Sequence, residues 1–232
     1  MQRFRGPLHN GTFSNRSCWR SLVILDRSGI WRALFVVGGI LYLWGSAQHP
    51  RGTMVEMMAA PAWVPGHTTV FVGLLVLTLG LLQFRRMARA SASMDRWVLL
   101  AIVTTALEAV EMGVHAVAYV DLDALALGHS TPVLTAHLWL ATLIYPLFAV
   151  SLMGLMGLGQ REGSLGSPWI TWIGMSGAAA HGIVMWLVYI FEIGWAPVLF
   201  PVAAISLSLW FMLAGVWPSR INDKPRPHPA GI

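Results

Sequence analysis

The sequence predicts an all-α integral membrane protein with six transmembrane helices, and its composition provides the first observations. Of its 232 residues, 56% are hydrophobic and only 11% are charged, against roughly 25% charged in soluble domains. The mean hydropathy is +0.64. So few charges cannot cover a water-soluble surface, which excludes a soluble globular domain, a disordered chain and a nucleic-acid-binding protein. The net charge of +5 is therefore interpreted as a signal of membrane orientation.

The length of the apolar stretches predicts the individual helices. A helix needs about 20 apolar residues to cross roughly 30 Å of hydrocarbon. Six stretches meet this need: 29–47, 68–84, 97–120, 133–158, 169–191 and 197–217. None alternates apolar and polar residues as a barrel strand does, and backbone groups in lipid must pair within their own segment. Helices are therefore the predicted structure of all six.

The basic residues predict the orientation of the bundle. Of the 15 Lys and Arg residues, only Arg51 lies in the loops that join spans 1–2, 3–4 and 5–6. Because cytoplasmic loops carry the excess of Lys and Arg, both termini are predicted to be cytoplasmic in a cell membrane (an inner membrane where there are two). The predicted organisation is a basic segment 1–28, a six-helix domain 29–217 and a flexible tail 218–232.

The third span carries most of the polar residues that lie inside the predicted membrane region. Thr104, Glu108, Glu111 and His115 fall on one stripe of a helix that turns by about 100° per residue. Ionisable groups are costly in lipid and mark function by default. The stripe is therefore predicted to face the bundle interior, either as a functional site or as a hydrogen-bonded polar network.

Histidines on three other spans are predicted to reach similar depths. With a rise of about 1.5 Å per residue, His181 of the fifth span lies level with Glu108. His137 lies about one turn below the outer surface, and His67 stands at the outer boundary of the second span. This coincidence of depth predicts a polar site in the outer half of the bundle. Taken singly, each histidine is also typical of a packing or helix-capping residue.

A metal site is the leading hypothesis for this cluster. Imidazole and carboxylate ligands suit Fe, Mn, Zn or Cu(II), and the single Cys18 excludes a cysteine-based site. A bound ion would let the protein act as a redox or hydrolytic enzyme on a hydrophobic small molecule. The predicted ligands are Glu108, Glu111, His115, His137 and His181. The predicted rim residues are His67, Thr104 and Glu192.

Three alternatives stay open at this stage. The first is haem b in quinone or electron transfer, with His181 paired to His115 or His137 as axial ligands and with Gly174 and Gly177 making room for the porphyrin. The second is a non-catalytic accessory or scaffold subunit of a larger membrane complex, with lipids and other subunits as partners. The third is proton or ion conduction along the stripe.

The first outer loop contains further groups that can bind a metal. His49, Met54, Met57 and Met58 could recruit copper through imidazole and thioether ligands. The favoured interpretation is an interfacial helix with its methionines on the apolar side.

Overall fold

The computed structural model describes residues 27–87 and 91–218, and within these ranges it contains helices and no strands. Six helices are long and apolar enough to cross a membrane, as the sequence predicts. They are α1 Arg27–Ala47, α2 Trp63–Met87, α3 Ala92–Val117, α4 Pro132–Arg161, α5 Pro168–Met185 and α6 Leu199–Val216. The predicted terminal segments 1–28 and 218–232 lie almost wholly outside the described residues.

The helices form a ring. Each packs mainly against the helices before and after it in the chain, and α6 packs against α1. Short connections between consecutive helices favour this antiparallel order. All six helices therefore contribute side chains to the interior of the ring.

Aromatic side chains fill the end of the ring where α1 begins. Trp31 of α1 contacts Phe84 of α2, with ring centroids 5.0 Å apart. Phe35 of α1 contacts Phe211 of α6, with ring centroids 5.4 Å apart. Arg32 also donates a hydrogen bond of 2.6 Å to the carbonyl oxygen of Trp217. These contacts close α1 on α6.

Polar contacts join the other helix ends on this side. Arg85 and Asp95 form an ion pair of 2.7 Å between α2 and α3. Ser91, just before α3, donates a hydrogen bond of 2.6 Å to Glu162, just after α4. The predicted basic loops therefore meet at one end of the bundle.

A short helix, Met54–Ala59, packs at the opposite end. Thr53 and Glu56 form a capping box at its start. Hydrogen bonds from the Thr53 backbone and hydroxyl lower the pKa of the Glu56 carboxyl. Met58 is buried in a cluster with Trp63, Ala118 and Leu134. This confirms the predicted helix with methionine on its apolar side.

An aspartate from the segment that follows α3 accepts a hydrogen bond from the first turn of α4. The chain leaves α3 through a 3-10 turn, Ala118–Asp121, and a short helix, Leu122–Ala126. Asp121 is buried and its Oδ2 accepts a hydrogen bond of 2.8 Å from the backbone N–H of Leu134. A carboxylate near a helix N-terminus is stabilised by the unpaired amides there. The acid thus fixes the position of α4 relative to the end of α3.

A proline breaks the hydrogen-bond ladder of α4. Pro146 lies inside this helix and has no N–H to give to the carbonyl four residues earlier. That carbonyl, of Thr142, accepts a hydrogen bond of 2.9 Å from the indole Nε1–H of Trp186. Trp186 begins a π-helical segment, Trp186–Ile190, at the end of α5. The carbonyl that loses its backbone donor in α4 is therefore satisfied by a side chain from the end of α5.

One helix boundary differs from the prediction in a way that matters for the site. The second span was expected to begin at 68, with His67 just outside it, but α2 begins at Trp63. The predicted boundary was wrong because Pro65–Gly66 suggested a break, whereas proline is tolerated in the first turn of a helix. His67 therefore lies inside α2 and is 3% exposed.

Candidate metal centre

Four histidines and one glutamate meet at the end of the ring beneath the short helix Met54–Ala59. Glycines let α1 and α2 approach closely here, because a Cβ at Gly45 would lie 2.7 Å from the carbonyl oxygen of Gly66. The members come from the α1–α2 loop and from α2, α3 and α4. They are His49, His67, Glu111, His115 and His137.

Glu111, His115 and His137 form the first of two groups, here named the buried triad. Each offers one ligand atom, and these atoms all lie within 4.8 Å of one another. Glu111 is 0% exposed, and its Oε1 pairs with Nδ1 of His137. Glu111 Oε2 and His115 Nδ1 have no hydrogen-bond partner among the described residues. Buried polar atoms without partners are rare, and an ion between these three side chains would satisfy them.

His49, His67 and His115 form the second group, here named the outer triad, whose ligand atoms also lie within 4.8 Å of one another. Nδ1 of His67 is 2.6 Å from the Trp63 carbonyl oxygen and Nδ1 of His49 is 2.8 Å from that of Pro50. Since a carbonyl only accepts, both Nδ1 atoms carry the proton. In the neutral ring, Nε2 of each then offers its lone pair to an ion.

Ring contacts order these side chains. Centroids are 5.0 Å apart between His49 and His67, 4.1 Å between His67 and His115, and 3.7 Å between His115 and His137. His49 is exposed, whereas His67 and His137 are buried. Desolvation by its neighbours lowers the pKa of the His49 imidazole. The rings thus form a series from the protein surface to the buried triad, with His115 common to both groups.

Glu108 and His181, both predicted as metal ligands, pair with each other instead. His181 Nε2 lies 2.8 Å from Glu108 Oε1, and the His181 ring stacks on Tyr145 with centroids 4.0 Å apart. Neither residue belongs to the buried or the outer triad. The expected single set of five ligands is therefore divided, because each buried carboxylate takes an imidazole from a different helix: Glu111 from α4 and Glu108 from α5.

Two predicted rim residues have other surroundings. The Thr104 hydroxyl is 2.6 Å from that of Ser151, where it joins α3 to α4. Glu192 is exposed in the α5–α6 loop and has a positive φ of 53°. The third, His67, lies within the outer triad rather than at the rim of the site.

Sequence reasoning missed two residues near the carboxylates and the true neighbours of a third residue. His49 was considered as a copper ligand together with loop methionines, and its place beside Pro50 gave no sign that it meets His67 and His115 instead. Tyr42 of α1 and Tyr145 of α4 are buried, and both phenols lie within electrostatic reach of the two glutamates. Tyrosine on an otherwise apolar helix is the signal that could have found them, because a buried phenol needs a polar neighbour.

The donor atoms of the buried triad could hold a metal ion. Two histidines and one carboxylate are a ligand set typical of non-haem Fe(II), and also of zinc hydrolases. By contrast, a Cβ at Gly174 would lie 2.6 Å from Trp210, and one at Gly177 would lie 2.7 Å from Ser206. The glycines expected to make room for a porphyrin are thus used in packing α5 against α6.

An apolar groove lies on the outer surface of α4 and α5. It has a volume of about 390 Å³. The side chains that line it are Pro146, Gly182, Ile183, Trp186, Leu187 and Phe191.

No protein-family model, curated protein or solved structure matches this chain. Its function is therefore argued from the chemistry of the site alone, since a fold class does not imply an activity.

Proposed function

We propose that this chain is a multi-pass protein of a cell membrane with both termini on the cytoplasmic side. The exposed surface of the long helices supports this placement, because it carries large apolar side chains such as Val110 and Leu143, which are 61% and 62% exposed. The basic end formed by Arg85 and Arg161 would face the cytoplasm. The two triads would then lie in the outer half of the membrane.

We further propose that the protein holds a transition-metal ion at Glu111, His115 and His137. The observation that carries this proposal is the convergence of three ligand atoms from α3 and α4 within 4.8 Å, two of them on side chains with unpartnered buried atoms. Three protein ligands leave coordination positions open. A bound ion would supply Lewis acidity or a redox couple there, for a redox or hydrolytic reaction on a hydrophobic substrate.

The residues beside the triad have roles that follow from their contacts. Glu108 lies one helical turn from Glu111, and its Oε1 is 2.8 Å from His181 Nε2. Tyr145 stacks on that imidazole and fixes the plane of its ring. In this proposal the buried Glu108–His181 pair exchanges a proton with a substrate bound at the buried triad.

Elemental analysis of the full chain in lipid nanodiscs tests the metal centre. After incubation with Fe²⁺, Zn²⁺, Mn²⁺ or Cu²⁺ and desalting, we expect the wild type to retain ions at stoichiometric level and His137→Ala to lose the ion of the buried triad. His129→Ala is the matched control, because His129 is an exposed histidine in the α3–α4 loop.

Two outcomes would refute the metal proposal. A folded wild-type protein that retains no ion would favour the accessory-subunit alternative. A Soret band in freshly isolated membranes would favour haem.

A further inference from the structure

We propose that the outer triad is a second metal site, through which ions reach the buried triad. The loading role rests on the proposed buried centre, whereas the outer site stands without it. The ligand class is a borderline divalent ion such as Co²⁺, Cu²⁺ or Zn²⁺, because three neutral imidazoles supply the donors.

Backbone hydrogen bonds orient the imidazoles of the outer triad. Backbone carbonyls hold the Nδ1–H groups of His49 and His67, and His67 Nε2 is buried without a partner. A metal-ligating histidine typically donates its other ring N–H in this way, which fixes its tautomer and orientation. A merely packed histidine gains nothing from burying an unpartnered lone pair, which costs free energy.

The two triads differ in their accessibility to water. The buried triad contains Glu111 and His137, which are 0% and 4% exposed, so an ion cannot reach them directly from water. His49 is exposed and shares the outer triad with His115, which also belongs to the buried triad. An ion captured at the surface thus already contacts one ligand of its final site.

The two triads also differ in the charge of their ligands. The outer triad contains only imidazoles, whereas the buried triad adds the carboxylate of Glu111, with Glu108 one helical turn away. A divalent ion is attracted more strongly to the group with the negative charge. The two groups therefore favour movement of the ion inward, with His115 as the ligand that is kept.

The test is Co²⁺ binding by the full chain in nanodiscs, with Co²⁺ counted after desalting and its visible absorption followed in a stopped-flow instrument. We expect two ions for wild type and for His129→Ala, with His115 losing its ring proton to solvent and ligating one ion through each of its two ring nitrogens. We expect one ion for His49→Ala, one for His137→Ala and none for His115→Ala. In His49→Ala we also expect the buried triad to load at least tenfold more slowly while its affinity changes less than threefold.

The numbers of bound ions distinguish failure of the outer site from failure of the buried centre. If wild type binds one ion that His137→Ala loses and His49→Ala keeps at the wild-type rate, the outer site is refuted and the buried centre stands. If the single ion is lost in His49→Ala and kept in His137→Ala, the outer site stands and the loading role is refuted together with the buried centre. Where His115→Ala does not fold, His49→Ala and His137→Ala carry the test alone.

Discussion

Replacement of Glu111 by glutamine removes the carboxyl group that would ligate the ion as a carboxylate and keeps the shape of the side chain. Two unit charges about 4 Å apart at an effective dielectric constant of 20 interact by about 4 kcal/mol. A divalent ion doubles this energy, and the proton that the carboxyl releases on binding offsets part of it. We therefore expect Glu111→Gln to weaken binding by about 4 kcal/mol, or close to a thousand-fold, since each 1.4 kcal/mol is about tenfold.

The matched control is Glu108→Gln, one turn away on the same helix. Glu108 is also buried, at 1% exposure, but belongs to neither triad. Titration of both variants with Zn²⁺ against a chelator of known affinity gives the two dissociation constants. Equal losses in the two variants, or a greater loss in Glu108→Gln, would show that general electrostatics, and not ligation by Glu111, determines affinity.

Three further substitutions probe stability by thermal unfolding in detergent. His181→Ala leaves the buried carboxyl of Glu108 without its imidazole partner. We therefore expect the free energy of unfolding to fall by about 3 kcal/mol and the melting temperature to fall by roughly 6–12 °C. Trp186→Phe leaves the Thr142 carbonyl, four residues before Pro146, without its hydrogen-bond donor. We expect the free energy of unfolding to fall by about 1 kcal/mol. Asp121→Ala removes the acceptor at the start of α4, for a loss of about 2 kcal/mol.

Each of these substitutions has a control, either its contact partner or a residue of the same type nearby in the chain. Glu108→Gln retains an acceptor for His181, Trp172→Phe changes an indole that is 71% exposed, and Asp123→Ala removes an exposed acid. An equal fall in melting temperature in a variant and its control would contradict the contact assigned to that residue.

The fold class was predictable because apolar length alone selects helices in a hydrophobic solvent. All six spans were found from this signal, and the stripe on α3 followed from helical periodicity, which places Glu108 and Glu111 on one face whatever surrounds them. These features depend on local sequence only.

The pairing of side chains was not predictable, because it depends on how far each helix is rotated and displaced against its neighbours. Depth placed His137 and His181 near the carboxylates but could not decide which imidazole would meet which acid. His49 illustrates the same limit, since a loop has no periodicity from which a direction could be derived. Thr104 was assigned to the site by its face, yet the close approach of α4 gives it Ser151 as a partner.

The ring order of the helices has a consequence for biogenesis. Every neighbouring pair of long helices except α1–α6 is consecutive in the chain, so each new helix after α1 follows directly on a helix against which it packs. All ligands of both triads precede the end of α4. All candidate ligands have therefore been synthesised before α5 and α6 are inserted. A metal ion could bind to the nascent chain before α6 packs against α1.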